Sequence, residues 1–113
     1  MHEMSIAQSI FEIVQETLAK EDGVQLKEVV LEIGELVAVV PDSLQFCYTV
    51  LTEQTPYQGS KLTINIIPLK GMCKTCGHCF RIEKMSFSCP RCDSTDLDIM
   101  QGQELKISHL EVT

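Results

Sequence analysis

At 113 residues the chain has room for one domain, or one small domain with a metal-stapled appendage, and too little for two full hydrophobic cores. Its 44% apolar and 22% charged residues exclude a disordered chain, and no apolar run approaches the roughly 18 residues a membrane span needs, so it reads as a soluble globular protein. Nine Lys plus Arg against sixteen Asp plus Glu leave a net charge of −7, which repels nucleic acid and anionic membrane surfaces unless the basic residues cluster.

The start MHEMSIAQSI has no basic n-region and no small-residue cleavage site, so the expected compartment is the cytoplasm. From Ser5 onward Ile6, Ile10, Ile13, Val14, Thr17 and Leu18 recur at helical spacing opposite Glu12, Gln15, Glu16 and Lys20, which predicts a first helix. Ser5 and Gln8 have the spacing of a capping box, and Asp22-Gly23 supplies a stop after about Glu21. Val29, Leu31 and Ile33 alternate with Val30 and Glu32 before Gly34, the pattern of a covered strand. Pro41 opens a second helix striped by Leu44, Cys47, Tyr48 and Leu51. A second strand follows on Leu62, Ile64 and Ile66 up to Pro68. The last strand carries Leu105, Ile107, Leu110 and Val112, whose apolar phase slips by one between Ile107 and Leu110, as a β-bulge produces.

Five of the six cysteines fall between positions 73 and 92. In a reducing compartment such a count points to metal or redox chemistry rather than disulfides. Cys73-x-x-Cys76, twelve intervening residues and Cys89-x-x-Cys92 make two knuckles that close a tetrahedral site at about 2.3 Å per sulfur, with no position left for substrate. Gly77 and Pro90 suit the tight turns. Cys76 and Cys79 share the same spacing, so the first knuckle has an alternative register, and His78 is an alternative ligand. Four thiolates also hold iron in rubredoxin-like electron carriers. Lys74, Arg81, Lys84 and Arg91 are balanced by Glu83, Asp93, Asp96 and Asp98, so the insert has no basic footprint for nucleic acid.

A histidine at position 2 is ordinarily just a solvated residue. Yet the amine of Met1, the backbone nitrogen of His2 and its imidazole can close adjacent chelate rings around one ion, a planar nitrogen set suited to nickel(II) or copper(II). The amides of His2 and Glu3 at a helix start lack intrahelical acceptors and are free to turn onto a metal. Such ligands shed protons on binding, so affinity should fall in mild acid. Against this, Glu3 also serves simply as a favourable charge at the positive helix end. His109 reads as a sheet histidine and Cys47 as a packing residue. No base stands near a nucleophile in a known motif, so the chain does not read as an enzyme.

Met1-His2-Glu3, the strand end Glu32-Ile33-Gly34-Glu35, the four-cysteine ribbon and a closing strand with Ile107 and Glu111 together resemble the HypA/HybF hydrogenase maturation factors from end to end. The resemblance implies a nickel metallochaperone that acts with the GTPase HypB to load Ni(II) into the large subunit of [NiFe] hydrogenase; some relatives also serve urease and its maturation proteins. It maps nickel onto His2, the Met1 amine and the amides of His2 and Glu3, and structural Zn(II) onto Cys73, Cys76, Cys89 and Cys92. Cys79 matches none of these roles.

The expected fold is α+β: two helices packed on a three-stranded mixed sheet, with a four-cysteine zinc ribbon inserted between the second and third strands. Residues 1–70 with 101–113 are expected to form the nickel-binding domain and 71–100 the zinc ribbon. Two other readings compete. An iron electron carrier would be red and indifferent to His2, and a zinc-ribbon adaptor for protein or nucleic acid would bind without its N-terminus.

Overall fold

The structure, a computed structural model, describes residues 2–113, and Met1 lies outside the described residues. Helix α1 (Glu3–Leu18) starts upstream of the expected capping box. Its N-cap is His2, whose carbonyl already accepts the Ile6 amide at 3.2 Å. Ser5 therefore sits inside the first turn and makes no cap. The helix also stops at Leu18 rather than near Glu21, because Ala19 and Glu21 close single turns onto Gln15 and Leu18. Ile6, Ala7, Ile10 and Val14 form its buried face.

Strand β1 (Leu26–Gly34) is central, which explains its nearly unbroken burial. The short 3-10 turn Glu35–Val37 leads to α2 (Pro41–Thr52), which opens on Pro41 as the fixed φ of proline favours. Crossing over the sheet, α2 delivers β2 (Lys61–Ile67) parallel to β1, and β6 (Leu105–Val112) returns antiparallel on the other side. The order β2-β1-β6 under two helices is the mixed sheet expected. Between Val30↔His109 and Leu31↔Ile107 the register shifts, with Ser108 the extra residue, as the slipped apolar phase required. Val29, Leu31, Ile33, Leu44, Tyr48 and Leu62 complete the core with α1. Each such buried side chain contributes roughly 1.5–3 kcal/mol.

A second sheet, with strand order β4-β3-β5, is formed by β3 (Lys70–Cys73), β4 (Cys79–Arg81) and β5 (Leu97–Gln101). The two sheets are joined where the chain passes out after β2 and back before β6. There Gly34 lies against the backbone of Gly102: a Cβ at Gly34 would stand 2.0 Å from the Gly102 carbonyl oxygen. The Leu36 amide donates to that oxygen at 2.9 Å, and the Gly34 amide donates to the Glu104 carbonyl at 2.7 Å. Glu35 completes the junction, accepting the Leu69 amide at 3.0 Å on one oxygen and the Arg81 guanidinium at 3.1 Å on the other. Its carboxyl is held below the usual range by the Leu69 amide first and Arg81 second. The result is an elongated molecule, 56 × 24 × 16 Å.

Candidate metal centres

Two copies of one turn build the thiol cluster. The Gly77 amide donates to the Cys73 carbonyl at 2.8 Å, and the Asp93 amide donates to the Cys89 carbonyl at the same distance. Gly77 and Asp93 both adopt positive φ, at +78° and +65°, so the second turn runs with aspartate in the position glycine holds in the first. Each turn also aims an amide at its leading sulfur: Cys76 at Cys73 Sγ, 3.5 Å, and Arg91 at Cys89 Sγ, 3.4 Å.

The sulfurs of Cys73, Cys76, Cys89 and Cys92 all lie within 4.8 Å of one another. Cys73 to Cys92 is 3.5 Å and Cys76 to Cys89 is 3.6 Å. A tetrahedron with bonds of about 2.3 Å has edges of about 3.8 Å, so these side chains fit a four-thiolate ion with little movement. The protonation chemistry agrees. The Cys76 amide brings the Cys73 thiol down to about 6. Although the Ser94 amide favours its thiolate, Cys92 is pushed up to about 12 by Cys73, by desolvation and by the other two thiols. Four adjacent sulfurs cannot all ionise unless a cation supplies the balancing charge.

Cys79 and His78 stay outside this cluster. Cys79 is exposed on β4, and His78 stacks on Phe80 with ring centroids 5.7 Å apart. The register with Cys73 and Cys76 is thus the one the chain builds. His109 is exposed on β6, with its Nδ1 3.2 Å from Ser108 Oγ.

His2 stands exposed at the head of α1 and lines an open groove of about 440 Å³ with Glu3, Met4, Asp42, Ser43, Phe46 and Cys47. Glu3 fixes this corner by accepting the Val40 amide at 3.1 Å, which lowers its carboxyl pKa. That bond ties the start of α1 to the start of α2. It also brings Asp42 to the groove beside His2, a carboxylate that the local sequence does not mark. Cys47, expected in the core, is half-buried and touches both core and groove.

Fold and site together define a small metal-binding protein in which a four-thiol ribbon is carried on an α/β sandwich with a histidine-headed helix. Over residues 1–112 the chain matches the family described as "Hydrogenase/urease nickel incorporation, metallochaperone, hypA". It is 43% identical over 112 residues to the hydrogenase maturation factor HypA of Crocosphaera subtropica, covering 99% of this chain and 96% of that one. With the HypA of Desulfatibacillum aliphaticivorans it shares 42% over 113 residues, covering 99% and 87%. The solution structure of the Ni metallochaperone HypA from Helicobacter pylori is similar at a TM-score of 0.66 and 26% identity, over 98% of this chain and 97% of that one. The chain belongs to the HypA family of metallochaperones.

Proposed function

We propose that this chain carries nickel(II) for the maturation of [NiFe] hydrogenase, binding it at the head of α1 while the cysteine ribbon holds a structural zinc ion. The observation that carries the reading is the match to the nickel-incorporation family along essentially the whole chain, together with an exposed His2 that lines a groove. The family is one of metal carriers, not catalysts, and its description ties the chain to the hydrogenase maturation machinery.

The proposed nickel donors are the His2 imidazole, the amides of His2 and Glu3, and the Met1 amine. These are nitrogens at a solvated edge, where an acceptor's thiolates can approach the cargo. Glu3 acts twice: its amide faces the ion and its carboxylate, bonded to the Val40 amide, stops the helix start from fraying. Asp42 adds a negative charge to the groove wall. In the ribbon Cys73, Cys76, Cys89 and Cys92 would hold zinc, which when bound supplies a closed, redox-inert crosslink. The division of labour follows: residues 1–70 with 101–113 handle nickel, and 71–100 form the zinc unit. The partners are the GTPase HypB and the hydrogenase large subunit, with urease maturation proteins as a second destination.

Among the described residues no helix is long and apolar enough to cross a membrane, in keeping with transfer between proteins in the cytoplasm. The test is a nickel titration of zinc-loaded protein with its native start, beside a version extended ahead of Met1. Binding by the native form alone supports the N-terminal site. Equal binding by both forms moves nickel elsewhere and defeats the proposal. Metal analysis of the purified protein separates zinc from iron in the ribbon.

A further inference from the structure

The apolar face of α1 is not fully covered. Ile13 belongs to the helical apolar stripe, yet is 49% exposed, and Leu105 at the start of β6 is 43% exposed. Between them runs a groove of about 390 Å³ lined by Ile6, Ile10 and Ile13 of α1 and by Leu105 and Ile107 of β6. Among the described residues β6 is an edge strand, with no partner strand for the backbone groups on its outer side. An edge strand and an apolar groove on its helix-side flank together make the site that a fourth strand would fill.

We propose that this edge accepts an extended segment of a partner protein by strand addition, with alternate apolar side chains seated under α1. Main-chain bonds to β6 would supply affinity, and the groove would select the apolar positions. The charge around the groove selects the rest. Lys106, the one charged residue that lines the groove, is paired with Glu32 at 3.7 Å; at 3.6 residues per turn Glu12 and Glu16 follow Ser9, a groove residue, along the outer flank of α1, and Glu111 stands on the opposite face of β6. The chain as a whole carries −7. The favoured occupant therefore alternates apolar residues with lysine or arginine. A second copy fits poorly, since two-fold pairing of β6 with itself would set the acidic flanks of two α1 helices against each other. This inference does not depend on the nickel reading.

The probe is a fluorescent eight-residue peptide, the length of β6, alternating valine and lysine, titrated into the full chain by anisotropy. Saturable binding should appear with slowed amide hydrogen exchange in β6. It should weaken about tenfold or more in Ile13→Lys or Leu105→Lys, whose exposed side chains leave the core intact. A peptide of the same composition with its valines in one block, or one alternating valine with glutamate, should bind far less. Equal binding of either control, no binding of the alternating peptide, or binding without protection of β6 would overturn the proposal. So would a peptide-free dimer in sedimentation that Ile13→Lys dissociates, because the groove would then belong to a second copy.

Discussion

Replacing Gly34 with alanine tests the junction between the two sheets. Gly34 has φ −67° and ψ 145°, which alanine adopts freely. At such a position the exchange alone would stabilise the protein by about 0.4–1 kcal/mol, through the unfolded chain. Here the new Cβ would stand 2.0 Å from the Gly102 oxygen, 2.1 Å from its carbon and 2.4 Å from the Gln103 nitrogen, all backbone atoms that cannot rotate aside. Relief requires the end of β1 to part from Gly102 by more than about 1 Å, since ordinary contacts begin near 3.4 Å. That movement breaks the Leu36–Gly102 bond of 2.9 Å and strains the Gly34–Glu104 bond of 2.7 Å. With the broken bond worth about 0.5–1.5 kcal/mol and overpacking about 1–3, set against the gain through the unfolded chain, the expected net loss is about 1–4 kcal/mol. Urea unfolding followed by circular dichroism measures it. Gly23→Ala is the control: its φ of +75° disfavours alanine but nothing lies within 4 Å, so its cost should stay near 1–2 kcal/mol. A Gly34→Ala loss below the control's would refute the close approach.

Four further outcomes follow from the geometry. Glu35 has a depressed carboxyl pKa, so its contribution is present above the ordinary value of 4.5 and is lost as pH falls through the lower folded value; Glu35→Gln should flatten that acid-side fall in Tm. Glu111 faces Glu28 across β6 and β1, and this neighbour raises its carboxyl pKa; its contribution is lost as pH rises through that value, so Glu111→Gln should raise Tm most at neutral pH. Stripping the metal from the four-cysteine cluster with a chelator should abolish amide protection in β3 to β5 while the helical circular dichroism persists, because the two helices draw on a core of their own. Asp42→Asn should weaken nickel binding in calorimetry and lower Tm only slightly, since Asp42 is exposed in the groove and its charge in the first turn of α2 is worth about 0.3–1 kcal/mol.

Periodicity made the main elements legible: the apolar stripes of both helices, β1, β2 and even the bulge at Ser108 track the core-facing positions, with Ile13 and Ile66 as stripe residues that stay exposed. The spacing of the thiols likewise marked Cys73, Cys76, Cys89 and Cys92, because the knuckle is a local structure. The strands of the ribbon were not legible. They are three to five residues long, and apart from Leu69, Gly71 and Ile82 near β3 their neighbourhood buries little besides cysteine, so the alternation of Leu97, Ile99 and Gln101 with Asp98 and Met100 in β5 is too brief to mark a strand. The Ser5–Gln8 capping box does not form, because the His2 carbonyl accepts the Ile6 amide and places Ser5 inside the first turn. Asp42 beside His2, and Glu35 on Leu69, depend on contacts across more than thirty residues, which no local pattern encodes.

The place of β6 in the chain sets the order in which the protein can be made. α1, β1, α2 and β2 leave the ribosome first and can form two layers with β1 paired on one side only. The other side of β1 waits for residues 105–112, and the whole cysteine ribbon is synthesised in between. The metal-binding loop is therefore available to capture its ion while the sheet that carries it is still open, and a nascent chain deprived of that ion would have to close the sheet around a thirty-residue loop with no fixed shape, from Gly71 to Met100.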